Sequence, residues 1–227
     1  MKKVNKTYFF NEPPVILGSA GVAGKKEGEG PLRENFDAIF DDTTMGQESF
    51  ELAESAMLHD AVIRALTNAE RSASEVDFVM TGDLLDQCTG SCFALKDLEM
   101  PFIGMYGACS TMALTLCNSA MLVDAGANVC VAGASSHFAS SERQFRFPLE
   151  YGGQRPPTAQ WTVTGAGAAV LGKSNGAKDQ IRIPAISIGT ITDLGIKDAN
   201  NMGAAMAPAV AIIRLWAASC NPSKLLP

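Results

Sequence analysis

The sequence predicts an α/β protein built on a mostly parallel sheet. Two observations carry this: short β-branched or small-residue runs alternate with longer stretches whose apolar residues recur at helical spacing, and the two patterns follow one another along most of the chain. A third is composition, since 47 % hydrophobic and 19 % charged residues over 227 positions suit one large domain with its own core.

A first strand fits residues 15–19, followed by a Gly- and Lys-rich loop over 20–30 whose charges argue against packing. Between 48 and 68, Phe50, Ala53, Met57 and Ala61, flanked by Leu58, Val62, Ala65 and Leu66, describe a core-facing helix. Residues 76–81 are β-branched and end at Gly82-Asp83, the pattern of a buried strand running into a loop. A short helix over 88–98 leads through Pro101 to a strand at 102–104, and Gly107-Ala108 precede a helix over 109–124 that Gly126 closes. Residues 128–134 and 165–171 are small-residue strands that must pack closely, 181–188 is a further strand, and 201–218 is a helix.

Charge and chemistry narrow the function. A net charge of -6 with no long Lys/Arg run excludes a phosphate-backbone partner, so no nucleic acid is expected. The six cysteines (Cys88, Cys92, Cys109, Cys117, Cys130 and Cys220) lie in apolar surroundings and are expected as reduced thiols, with Cys88 and Cys92 as buried filler and no metal site. The basic start resembles a signal-peptide n-region, but Asn11-Glu12-Pro13-Pro14 breaks the apolar stretch after it. The longest apolar candidate, 113–134, carries Asn118, Asp124 and Asn128, which are costly in hydrocarbon, so any membrane association is expected to be peripheral.

Gly107-Ala108-Cys109-Ser110-Thr111 places a thiol where helix-start N–H groups and the positive helix end converge. Such a cysteine is expected to have a depressed pKa and to act as a nucleophile or an anion contact. The competing reading is a small core residue, with Ser110 and Thr111 capping the helix.

Ser49-Phe50-Glu51-Leu52-Ala53-Glu54 through Ala65-Leu66, then Val76-Asp77-Phe78-Val79, Gly107-Ala108-Cys109-Ser110-Thr111 and Gly165-Ala166-Gly167-Ala168-Ala169-Val170-Leu171 together resemble the first half of thiolases and ketoacyl synthases. Within that superfamily, Glu142-Arg143-Gln144-Phe145-Arg146, Glu150-Tyr151-Gly152-Gly153-Gln154, Asp193-Leu194-Gly195 and the run from Asn201 to Pro208 resemble the stage V sporulation protein AD family, over roughly residues 7–210. The resemblance implies a thiolase-like fold with the N-terminal half complete (1–172) and a C-terminal half that begins at 173 and is truncated by 227, the last residues from 211 no longer resembling the family. It also implies a non-catalytic protein that binds dipicolinic acid, alone or as its calcium complex, with no cofactor. Such a protein belongs to the machinery that moves calcium dipicolinate into the developing spore. Its expected place is the forespore, peripherally associated with the spore inner membrane through membrane-embedded stage V sporulation A proteins.

Dipicolinate is a flat ring with two carboxylates, so it needs cations and N–H donors. Arg143 and Arg146 can offer bidentate contacts, and the turn at Cys109 and Ser110 can offer N–H groups; a solvated surface pair is the other reading for the arginines. Ser136 and His137 follow a strand and complete the candidate ligand set, although a lone histidine there is also a common structural residue. Asp83 and Asp86 are too few for a calcium cage and read as solvated turn residues. Condensing enzymes resembling this chain take their histidine and asparagine from the C-terminal half, whereas this sequence has only His59 and His137. Binding therefore leads. A ketoacyl synthase III-like acyl-transferring enzyme and an inactive fragment that dimerises through uncovered surface are the alternatives.

Overall fold

The computed structural model describes residues 1–145, 162–177, 179–197, 201, 203–204, 206–208 and 210. The chain opens with a hairpin, β1 (Lys2–Val4) against β2 (Thr7–Phe9), and then crosses the molecule as β3 (Val15–Gly24). A short helix α1 (Lys25–Gly28) and β4 (Ala38–Phe40) follow, and the first long helix is α2 (Phe50–Asn68). Next come β5 (Phe78–Gly82), α3 (Thr89–Leu95), β6 (Phe102–Gly104) and α4 (Thr111–Ala125). The remaining elements are β7 (Val129–Ser136), α5 (Phe138–Phe145), β8 (Gly165–Gly172), β9 (Ile181–Arg182) and β10 (Ala185–Ser187).

Among the described residues the main sheet has seven strands in the order β4-β3-β8-β7-β5-β6, with β9 also paired to β3. β3 to β7 point one way and β8 and β9 the other. The sheet is thus mixed and mainly parallel, as expected, with β8 in its middle opposing both neighbours. The parallel steps β5 to β6 and β6 to β7 each carry a crossover helix, as parallel strands require.

The sheet is buried on both faces, and its strands alternate between them with period two. Val129 and Val131 of β7 and Ala166, Ala168 and Val170 of β8 pack beneath α2 with Met57, Leu58, Ala61, Val62 and Ala65. Their neighbours Cys130, Ala132, Ala169 and Leu171 face Ala120 and Val123 of α4. Ser49 starts α2 by accepting the Leu52 N–H at 3.2 Å. Small residues are required where the layers close: a Cβ on Gly133 would stand 3.0 Å from Thr81 Cγ2 and 3.2 Å from the Gly167 carbonyl.

Three expectations change. Residues 20–24 continue β3, held by antiparallel pairing to β8 up to Ala23, so the expected loop begins only after Gly24. The single strand expected over 181–188 is divided at Pro184, with β9 joining β3 and β10 joining β2 in a separate three-stranded sheet, β1-β2-β10. Helix α4, whose Ala-, Leu- and Met-rich sequence predicts a buried helix, is only partly buried: Thr111, Thr115, Ser119, Ala120 and Val123 face inward, while Met112, Leu114, Leu116, Met121 and Leu122 are half-buried. The expected helix over 201–218 lies largely outside the described residues. By length and composition, Ala108–Ala125 is apolar enough to cross a membrane, with 28 % of it buried, and in this fold it lies along β5, β7 and β8.

Candidate functional site

The strands β5, β6 and β7 all end at one edge of the sheet, where α/β proteins commonly place functional groups. Gly82 closes β5 so near the next segment that a Cβ would fall 1.8 Å from the Met105 carbonyl and 2.7 Å from Thr111 Cγ2. Only glycine admits that approach, and it brings the segment before α4 against the end of β5.

Cys109 is exposed in a 3-10 turn, Ala108–Ser110, immediately before α4. Ala108 holds the turn with a left-handed φ of 46°. Ser110 and Thr111 do not cap the helix: Ser110 Oγ donates to the Gly107 carbonyl at 2.7 Å and Thr111 Oγ1 to the Ala108 carbonyl at 2.8 Å. Helix α4 has no side-chain cap, but the Ser110 N–H donates to the Gly107 carbonyl at 2.9 Å and the Thr111 N–H to the Ala108 carbonyl, so the helix start offers an anion beside the thiol the positive end of its dipole.

The register of β7 divides the other candidates. Ser135 and His137 turn toward α2, and Ser136 therefore points to the opposite, α4 side, where its buried Oγ has no hydrogen-bond partner among the described residues. Ser136 shares the α4 face with Cys109 and Ser110; His137 does not. The His137 ring is fully buried, stacked between Phe50 at 5.1 Å and Phe138 at 5.2 Å. Its Nδ1 accepts from the Ala139 N–H at 3.2 Å, which leaves the proton on Nε2 to be donated to the Thr43 carbonyl at 2.8 Å. Burial lowers its pKa and favours this neutral form. The ligand role expected of His137 gives way to a packing role, because no ring nitrogen is left for a carboxylate. Arg143 lies on α5, which packs against α2, and Arg146 falls outside the described residues.

Asp83 is not the solvated turn residue expected. It is buried, and its oxygens accept from the Leu85 N–H at 2.9 Å and from the Ser91 N–H and hydroxyl at 2.7 Å each, tying the end of β5 to α3. Burial raises its pKa against those hydrogen bonds. Among the described cysteines, Cys92 is exposed and Cys88 half-buried, so neither is core filler.

Glu54 is the functional candidate that sequence reasoning passed over. It is fully buried on the inner face of α2, accepting from Ser140 Oγ at 2.8 Å and Ser135 Oγ at 3.2 Å. Burial raises its pKa to about 7; hydrogen bonds from Ser140, Ser135 and the His137 N–H oppose that rise, and the Asp83 charge adds to it. Its spacing from Leu58, Ala61 and Ala65 signals the buried face. A cavity of about 300 Å³ also opens on the α2 side, floored by Phe40, Met45, Met57 and Phe138, and Cys109 does not line it.

These features define a class first. A solved OleA variant from Xanthomonas campestris aligns with 76 % of this chain and 62 % of its own at a TM-score of 0.50 and 16 % identity. The 3-oxoacyl-[acyl-carrier-protein] synthase III of Aquifex aeolicus VF5 aligns with 71 % of this chain and 54 % of its own, at 0.49 and 16 %. The fold is thiolase-like, and at such identity the likeness speaks for fold alone. The family is narrower: the chain belongs to the Stage V sporulation protein AD family, which matches residues 4–216. It is 43 % identical over 213 residues to Stage V sporulation protein AD of Bacillus subtilis (strain 168), covering 93 % of this chain and 62 % of that protein's length. Its role is in sporulation, and its source is a spore-forming bacterium.

Proposed function

We propose that this chain is a non-catalytic binding protein for dipicolinate, free or as the calcium complex, in the apparatus that loads calcium dipicolinate into the forming spore. The observation that carries this reading is the exposed Cys109 turn at the uncapped start of α4, with Ser136 on the same face of the sheet. It supplies the thiol, the Ser136 hydroxyl and the positive end of the α4 dipole for one carboxylate of a flat dianion. Arg143 and Arg146 supply the positive charge for the other. The partners are membrane-embedded stage V sporulation A proteins, through which the chain associates with the forespore inner membrane.

The non-catalytic part of the reading is supported by where the histidines lie. His59 Nδ1 is engaged with the Ala94 carbonyl at 2.8 Å, and His137 is engaged on the α2 side, so neither is placed to serve Cys109 as a base. An exposed thiol at a helix start still favours acyl transfer as a second reading, which stable acylation of Cys109 by an acyl thioester, followed by turnover, would establish.

Calorimetry with dipicolinate tests the first reading. Arg143→Ala is expected to weaken binding by about 2 to 5 kcal/mol, since it removes an ionic partner, and Cys109→Ala by less, since a thiol is a weak donor. Unchanged affinity in both variants of a wild type that binds would move the site elsewhere.

A further inference from the structure

Glu54 joins three elements. It stands one turn into α2, takes the hydroxyl of Ser135 near the end of β7, and takes the hydroxyl of Ser140 in the first turn of α5. Those two segments flank the candidate site: Ser135 precedes Ser136, and α5 carries Arg143. We propose that Glu54 is the positioning residue of this site, holding the end of β7 and the start of α5 to α2 through Ser135 and Ser140, and that it does so as the neutral acid. The proposal rests on the ligand reading above for what is positioned, and on the buried contacts alone for how.

The chemistry of the contacts supports the neutral form. Among the described residues no side-chain cation acts on Glu54; its partners are two hydroxyls and the His137 N–H, and the charged group facing it from beyond β5 is Asp83, itself an acid. The His137 ring faces Glu51 and Glu27 and is held neutral by its own hydrogen bonds. Among the described residues an ionised Glu54 would be a buried charge without a counter-ion. The neutral acid keeps every partner satisfied, because Ser140 Oγ also lies 3.2 Å from the His137 carbonyl. When Glu54 gains a proton, its O–H donates to Ser140 Oγ, and the Ser140 hydroxyl turns its own hydrogen to that carbonyl. The attachment of α5 survives the change, and the buried charge disappears.

Glu54→Gln mimics the neutral acid and Glu54→Ala removes the tether, so the pair separates positioning from charge. Hydrogen exchange over residues 135–141, thermal unfolding and dipicolinate calorimetry are measured on both variants and wild type near pH 6 and near pH 8. Glu54→Gln is expected to keep wild-type protection at pH 6, to lose the wild type's decline in stability between the two pH values, and to bind dipicolinate within about threefold of wild type at pH 6. Glu54→Ala is expected to lose protection over 135–141 and to weaken binding more than about tenfold. The proposal is overturned if Glu54→Gln is as damaging as Glu54→Ala at pH 6, or if wild type and Glu54→Gln share one pH dependence. Should Glu54→Ala not fold, the glutamine variant alone decides. A wild type that binds no dipicolinate at either pH refutes the ligand reading, while the exchange and unfolding results still decide the role of Glu54.

Discussion

The two faces of the main sheet are covered by helices of opposite design. Beneath α2 the contacts are large and fully enclosed, with Met57, Leu58 and Val62 meeting Val79, Val131 and Val170. Beneath α4 the inner side is small and polar, Thr111, Thr115 and Ser119, while leucines and methionines are left half-buried on the outer side. Stability is concentrated on the α2 face. The exposed thiol and the uncapped helix start belong to the other face, where the packing that would fix a helix rigidly is thinner. The exception on each face is informative: a buried acid, Glu54, within the tight layer, and an orphaned hydroxyl, Ser136 Oγ, beside the loose one.

The contrast breaks most sharply with a pair of truncations. Leu58→Ala empties a fully enclosed site and is expected to cost about 2 to 5 kcal/mol, whereas Leu122→Ala on the half-buried side of α4 is expected to cost about 1 kcal/mol or less. Chemical denaturation of the two variants checks this, and equal losses would show the faces to be equivalent.

The pH dependence of stability is the next effect in size. Glu54 has its pKa raised on folding, so its contribution is fully present below its ordinary value of 4.5 and is lost as pH rises through about 7; the difference corresponds to about 3 kcal/mol. His137 acts in the opposite sense. Its pKa is lowered on folding, so it destabilises the fold as pH falls below its ordinary value of 6.5. Unfolding measured across this range should show the two opposed slopes separate in Glu54→Gln, where the acid-side loss from His137 remains. Stability of Glu54→Gln that still declines toward pH 8 would contradict the assignment.

The smallest effect sharpens the helix starts. Ser49→Ala removes the hydroxyl that accepts the Leu52 N–H and is expected to cost about 1 kcal/mol by thermal unfolding. Ser110→Ala, whose hydroxyl bonds Gly107 instead of capping α4, should leave the helix start itself unweakened.

The order of elements was legible in the sequence because period and punctuation agree: the spacing over 48–68 gives α2 to within two residues at its start, and Gly126 closes α4 with a positive φ of 126°. Strand direction was not legible, since β8 carries the same small-residue pattern whichever way it runs, and only its neighbours decide. The site was half legible. Cys109 before a helix is a local pattern, but the separation of Ser136 from His137 depends on β7 register, which one residue reverses. Glu54 shares a face with Leu58, Ala61 and Ala65, so spacing announced its burial while its residue type argued for solvent. Pro184 splits the last strand pair because it has no N–H to give a ladder.

The way β10 closes on β2 sets the timetable of synthesis. Thr7 Oγ1 and Ser187 Oγ meet at 2.7 Å although 180 residues separate them, and β3 waits for β8 in the same way. A ribosome releases the β1-β2 hairpin and β3 long before β8 and β10 exist, so β2 and β3 must each keep one edge unpaired until those later strands are made. Contacts this distant in sequence slow folding and leave strand edges open to wrong partners meanwhile, which makes nascent-chain protection a need of this topology.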